Sequence, residues 1–111
     1  MSALSAASLG EGASLIRAAA DTPVDLTLAA VRLAVEGGAE SVLLLIESDV
    51  TDLTRAMLCA AIGPLAIANA PGHRVNALDL APGVDDDAVR AAALFLVGAR
   101  STTGQVIRVG N

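Results

Sequence analysis

One hexapeptide decides most of what this chain can fold into. Ser41-Val42-Leu43-Leu44-Leu45-Ile46 is a continuous apolar run of strand length, closed by Glu47-Ser48-Asp49. A strand with one wet face alternates apolar and polar residues. A run without alternation needs cover on both faces, which is the situation of a central strand in a parallel sheet. The rest of the chain has to supply that cover.

The flanking segments have the right character. Thr22-Pro23-Val24-Asp25 is a helix start: Thr22 can cap, proline suits the first helical position, and Asp25 sits at the positive end of the dipole. This helix runs to about Glu36 and stops at Gly37-Gly38. A second helix spans Asp52 to about Asn69, uncharged beyond Arg55 and expected to kink where the Pro64 ring meets the Ala60 carbonyl. Arg74 to Leu80 is a second strand, ended by Pro82-Gly83. Asp85-Asp86-Asp87 caps a third helix, Ala88 to about Ala99, and Gln105 to Val109 is a last strand. Residues 2–20 are rich in Ala and Ser. Within them Ala13–Ala20 reads as a short helix and Gly10-Glu11-Gly12 as a flexible turn. The alternation predicts a single α/β domain over 1–111. The expected fold is a partial Rossmann-like three-layer one, with about three parallel strands, helices on both faces and right-handed crossovers.

Too little of the chain is polar for a solitary small domain. A chain of 111 residues leaves about a third of its extended surface in water. Yet only 17% of its residues are charged and its mean hydropathy is +0.64. Helix 22–36 carries two apolar stripes, Val24/Leu28/Val31/Val35 and Leu26/Ala29/Ala30/Leu33, and the second needs cover of its own. Oligomerisation is therefore expected, with Leu28, Val31, Val35, Met57, Ala60, Ala61, Ala92, Phe95, Leu96 and Val106 in the interfaces. A membrane is not expected to take up the surplus. The longest uncharged stretch, Ala56 to Gly72, is Ala-rich and broken by Gly63-Pro64, whereas a spanning helix wants about 20 strongly apolar residues. The opening MSALSAASLGEG lacks the features of a secretory signal. The single Cys59 fits a reducing cytoplasm. A net charge of -5 without a basic patch argues against nucleic acid.

Composition also removes chemistries. All seven basic residues are Arg, there is no Lys, Tyr or Trp, and Phe95 is the one aromatic. Schiff-base catalysis, a phosphate-loop lysine and a tyrosine general acid are excluded. With one His73 and one Cys59, a His/Cys zinc site within one chain is not available.

Three stretches, in order, resemble the C-terminal half of the short-chain dehydrogenase/reductase family. LTLAAVRLAVEGGAESVLLLIES resembles the helix and strand that lead to its catalytic serine. GHRVNALDLAPG resembles its G-I-R-V-N-x-x-x-P-G, with His73 at the Ile position and extra residues before Pro82. AVRAAALFLVGARSTTGQVIRVGN resembles its last helix and strand, matching at Phe95-Leu96, Thr103-Gly104-Gln105 and Val109-Gly110, with Gly110-Asn111 where the family has Asp-Gly-Gly. The resemblance covers residues 22–110.

The departures are as informative. The family's glycine-rich nucleotide loop, whose amides and helix dipole hold cofactor phosphates, belongs to a first half that this sequence lacks. Gly10-Glu11-Gly12 is no substitute. The family also uses a Ser, a Tyr, and a Lys one helical turn after the Tyr, the Lys tuning the Tyr for proton exchange. The resemblance puts Val50 at the Tyr position, Thr54 at the Lys position and Ser48 near the Ser. Val84-Asp85 follows Pro82-Gly83 where a nicotinamide contact is usual. No cofactor and no metal is expected. In the family, helix pairs and the last helix and strand build the oligomer. The resemblance therefore implies a truncated, noncatalytic subunit that assembles with a full-length family member. Two alternatives remain: a structural homo-oligomer, or a homodimeric cofactor-independent enzyme (isomerase, cyclase or dehydratase type) acting on a small hydrophobic substrate. The acid or base candidates for that enzyme are Asp79, Asp49 and His73, with Ser48 beside them. Asp79, in a largely apolar strand, is the leading one; its plainer role is an exposed strand end or an ion pair with an Arg across an interface.

Overall fold

The computed structural model describes residues 4–5 and 9–110; residues 1–3, 6–8 and Asn111 lie outside the described residues. Four parallel strands, β1 (Ala13–Ala18), β2 (Ser41–Ile46), β3 (Arg74–Leu80) and β4 (Val106–Val109), alternate with three helices, α1 (Val24–Glu36), α2 (Asp52–Asn69) and α3 (Asp86–Gly98). The sheet order is β1-β2-β3-β4. The apolar run at 41–46 is central, as its pattern requires, and every residue in it is buried.

One expectation is corrected at the N-terminal end. Ala13–Ala20 is not a helix; it supplies a fourth strand, among the described residues, beside the three expected. Ala13 to Ala18 pairs with Ser41 to Ile46 in continuous register. Pairing with a fully apolar strand outweighs the helix preference of isolated Ala-rich sequence. The edge of β2 that had no predicted neighbour is occupied by this strand.

The two sheet faces carry separate cores. On one, Val31 of α1 and Leu58, Ile62 and Ala66 of α2 pack on Val42, Leu44, Ile46, Val75 and Ala77. On the other, Val89, Ala93 and Leu96 of α3 join Leu4 and Leu9 over Leu43, Leu45, Leu78 and Leu80. One helix covers the second face where two cover the first, and the N-terminal leucines fill part of the remaining area. Arg17 holds this segment in place, its guanidinium donating to the Leu4 carbonyl.

This arrangement also corrects the expected crossovers. Each connection steps one strand in the same direction, but α3 lies on the opposite face from α1 and α2. The step direction and the face together set the hand, so β3–α3–β4 has the opposite hand to the other two. A uniformly right-handed set would leave Leu43, Leu45, Leu78 and Leu80 without a helix.

The helix starts differ in detail from the sequence reading. Pro23 occupies the N-cap of α1 without a side-chain cap, and the Thr22 hydroxyl accepts from the Ala19 N–H instead, at 3.3 Å. Asp85 is the N-cap of α3, again with no side-chain bond. The capped helix is α2, where the Thr51 hydroxyl accepts from the Thr54 N–H at 3.3 Å. That helix is continuous through Pro64.

Candidate functional site

Open parallel sheets bind ligands beyond the carboxyl ends of their strands. Here that end gathers Glu47-Ser48-Asp49 after β2, Asp79 near the end of β3 and Arg108 on β4. Asp79 is the centre of the group. Its Oδ1 accepts from Arg55 of α2, and the Arg108 guanidinium approaches the same oxygen at 3.1 Å. The Asp79 and Arg55 side chains are 15% and 14% exposed. Arg55 also donates to the Glu47 carbonyl at 2.9 Å and the Val50 carbonyl at 3.2 Å. One side chain thereby clamps the β2–α2 turn to the end of β3. Glu47 in turn pairs with Arg17 at 3.0 Å.

Asp79 therefore sits in an ion pair with arginine, but the arginines belong to its own chain and not to a partner across an interface. Its carboxylate is committed to two guanidiniums within one chain, which gives it the work of joining α2, β3 and β4. Cys59, one turn along α2 from Arg55, has its thiol pKa pushed above the ordinary 9.0, first by burial and then by the nearby Asp79 charge. A protonated thiol is a poor nucleophile.

The other sequence candidates do not converge. Ser48 and Asp49 are exposed at the carboxyl end of β2. His73 precedes β3 at the opposite end of the sheet, its Nδ1 2.6 Å from the Ala39 carbonyl. The six-residue β2 separates them, a span of about 20 Å. No hydrolytic triad forms. The recess at the carboxyl end, lined by Glu47, Ser48, Leu80, Val84 and Asp86 among others, holds only about 110 Å³, below the ~300 Å³ at which ligand clefts begin. Among the described residues, no group of three or more His, Cys, Asp or Glu side chains is placed to hold a metal ion.

The R-V-N stretch has a structural task at the other end of the sheet. Arg74 donates to the carbonyls of Leu96, Val97 and Ala99 at 3.2, 3.1 and 3.0 Å, closing the C-terminus of α3 with a positive charge. Asn76, 1% exposed, donates to the Thr102 carbonyl at 3.1 Å and accepts from the Gln105 N–H at 3.0 Å. Together they fix the α3–β4 connection.

The residues expected at interfaces divide. Val31 and Leu96, at 0% and 1% exposure, are corrected: their own chain's sheet covers them, and no subunit can reach them. Leu28 and Val35 pack against the α1–α2 core and Ala92 against the α3 core, while Ala61 is half-buried. Ala60 is exposed, as are Met57, Phe95 and Val106, and these four are joined by Leu26, Leu33, Leu53, Ile67 and Leu94. The second stripe of α1, Leu26 and Leu33, is the outward one. Arg55 and Arg108 were missed as site residues. The signal was present in Arg55 as the one basic residue of an otherwise almost uncharged helix.

No helix among the described residues is long and apolar enough to cross a membrane. A protein-family model, SDR-like, described as short chain dehydrogenase-like protein, matches residues 8–109. No match was found among curated proteins or among solved structures.

Proposed function

The chain belongs to the SDR-like family of short chain dehydrogenase-like proteins, and from that premise we propose that it is a noncatalytic subunit. It assembles with a full-length family member and stabilises that partner or shapes its substrate pocket. The observation that carries this reading is the outward face of α2. Leu53, Met57 and Ile67, at 72%, 49% and 80% exposure, form one stripe with Ala60 and Pro64, and no charge follows Arg55 in that helix. Contiguous apolar surface of this kind marks association sites. Leu26 and Leu33 on α1 and Leu94 and Phe95 on α3 are exposed as well.

The position aligned with the family's tyrosine supports the noncatalytic half of the proposal. Val50 is 5% exposed and packs in the α1–α2 core, so a side chain there has no access to a substrate. Thr54, aligned with the lysine, lies in the first turn of α2, its N–H in the Thr51 cap. The subunit works in the cytoplasm, where a lone thiol needs no disulfide partner.

The test is co-expression with a full-length family enzyme encoded beside it. Co-purification, together with a higher unfolding temperature or activity of that enzyme, is expected. The paired change Leu53→Ser and Ile67→Ser should abolish both without unfolding this chain. An enzyme that neither co-purifies nor changes removes the reading. NAD(H) and NADP(H) at millimolar concentration should give this chain alone no thermal shift, since a ligand of the folded state would raise it.

A further inference from the structure

At the amino end of the sheet two opposite charges face one cleft without meeting. Glu40 stands just before β2. Its N–H donates to the Gly12 carbonyl and its carbonyl accepts from the Arg74 N–H, each at 2.8 Å. A Cβ on Gly12 would lie 3.0 Å from the Glu40 Oε2, so the carboxylate lies against the start of β1. Arg100 stands just after α3, in a turn that the Thr102 N–H closes on the Ala99 carbonyl at 2.8 Å. Among the described residues the ion pairs are those of Arg17, Arg55 and Arg108. Glu40 and Arg100 therefore pair neither with each other nor with another described side chain.

Both charges line the same recess of about 210 Å³, together with Leu9 and Ala13 from the β1 side and Val97 from the α3 side. Those three side chains belong to the α3 core, so the recess has an apolar wall as well as a charged rim. A second recess of about 210 Å³, over Pro71 and Gly72, adjoins it across Glu40, Arg74 and Arg100. The Arg74 guanidinium is already turned to the carbonyls of α3, which leaves Arg100 as the cation open to a ligand. Glu11 also lines the first recess. Its charge and that of Glu40 balance those of Arg74 and Arg100.

We propose that this cleft binds a free amino acid with an apolar side chain, its ammonium at Glu40, its carboxylate at Arg100 and its side chain against Leu9, Ala13 and Val97. Charge selects the zwitterion. A simple anion or cation meets a repulsion for each attraction, whereas a zwitterion makes two charge-assisted contacts, the stronger kind of hydrogen bond. Size selects a small ligand, since each recess is below the ~300 Å³ at which clefts for drug-sized molecules begin. A polypeptide end offers one of the two charges; a free amino acid offers both. The bound ligand would tie the start of β2 to the end of α3. The inference stands independently of the subunit reading, which uses the outward face of α2.

A heteronuclear NMR titration of the whole chain with L-leucine tests it against isocaproate (no ammonium), isoamylamine (no carboxylate) and glycine (no side chain). L-Leucine should bind one-to-one and move the amides of Gly12, Ser41 and Gly98, which line the recess. Each singly charged analogue should bind about fivefold more weakly, the scale of one exposed ion pair. Glycine should bind about tenfold more weakly, for want of apolar contact. Arg100→Gln should weaken L-leucine about fivefold without weakening isoamylamine, and Glu40→Gln should do the same without weakening isocaproate. Both side chains belong to exposed residues, so neither change disturbs the core. The proposal is overturned if L-leucine at millimolar concentration does not bind or moves only amides elsewhere. It is equally overturned if a singly charged analogue binds as well as L-leucine, or if either variant binds L-leucine like the parent.

Discussion

Changing Asp79→Asn keeps the side-chain shape and removes one negative charge from beneath two positive ones. Removing one member of a fully buried pair costs about 3–5 kcal/mol, and the half-exposed contact with Arg108, 46% exposed, adds on the scale of surface pairs, about 0–1 kcal/mol. Asp79 and Arg55 keep 15% and 14% exposure, so water reaches them, and the amide oxygen still accepts a bond. These two effects bring the expected loss to about 3 kcal/mol. Urea unfolding followed by far-ultraviolet circular dichroism is the suitable assay, because the chain has no Trp or Tyr to report by fluorescence. With a slope of about 1–3 kcal/mol per molar urea, the midpoint should fall by roughly 1–3 M. Adding Arg55→Met should cost less in the Asp79→Asn background than alone, since one stranded charge is gone. A loss below about 1 kcal/mol, or full additivity of the two changes, would refute the claim that this pair joins helix to sheet.

Asn76→Ala strands the Gln105 N–H and the Thr102 carbonyl. It should cost about 2 kcal/mol and speed hydrogen exchange at the Gln105 amide. Gly110→Ala should lower the melting temperature more than Gly83→Ala. Both glycines have positive φ, +94° and +71°, but only at Gly110 would the new Cβ lie 2.8 Å from a neighbour, the Ala81 Cβ; the conformation alone costs about 1–2 kcal/mol. Cys59 has a folded pKa raised above the ordinary 9.0 by burial and Asp79. The thiol's contribution to stability is thus fully present below that value and is lost as pH rises through the folded pKa. Unfolding free energy should fall more steeply above pH 9 in the parent than in a Cys59→Ala variant, and equal slopes would contradict the assigned environment.

The strands and helices from Thr22 onward were legible because their signals are local: the unbroken run at 41–46, the Pro23 entry, the glycines after Glu36. Strand β1 was not. Ala-Ser-Leu-Ile-Arg-Ala has no strong pattern of its own, and it becomes a strand only because Ser41 to Ile46 offers an edge 28 residues on. The site was legible in part. Asp79 stood out as a carboxylate in an apolar strand, but the Arg expected to pair with it was one across an interface, not two of its own chain. That Arg55 and Arg108 would both reach it depends on α2 crossing β3 and on the register of β4, which no local spacing encodes. That Ser48 and Asp49 stand at one end of the sheet and His73 at the other was not legible for the same reason, since which end of a strand a residue occupies is a property of the sheet. Val31 and Leu96 were assigned to interfaces because a helix with two apolar stripes does not declare which one faces its own sheet.

The strictly sequential strand order has a kinetic side. Each strand is laid against the one synthesised just before it, and each closure spans about thirty residues, a modest loop-entropy cost repeated three times. No strand has to wait for a distant partner, so the sheet can be built by accretion as the chain leaves the ribosome. Such local wiring favours rapid folding for a parallel sheet, a class otherwise slowed by long-range pairing. It also means that, within residues 9–110, the outer edge of β1 belongs to the earliest of the four strands and is passed over by the other three. Within residues 9–110, the oldest edge and the newest are the two that stay open.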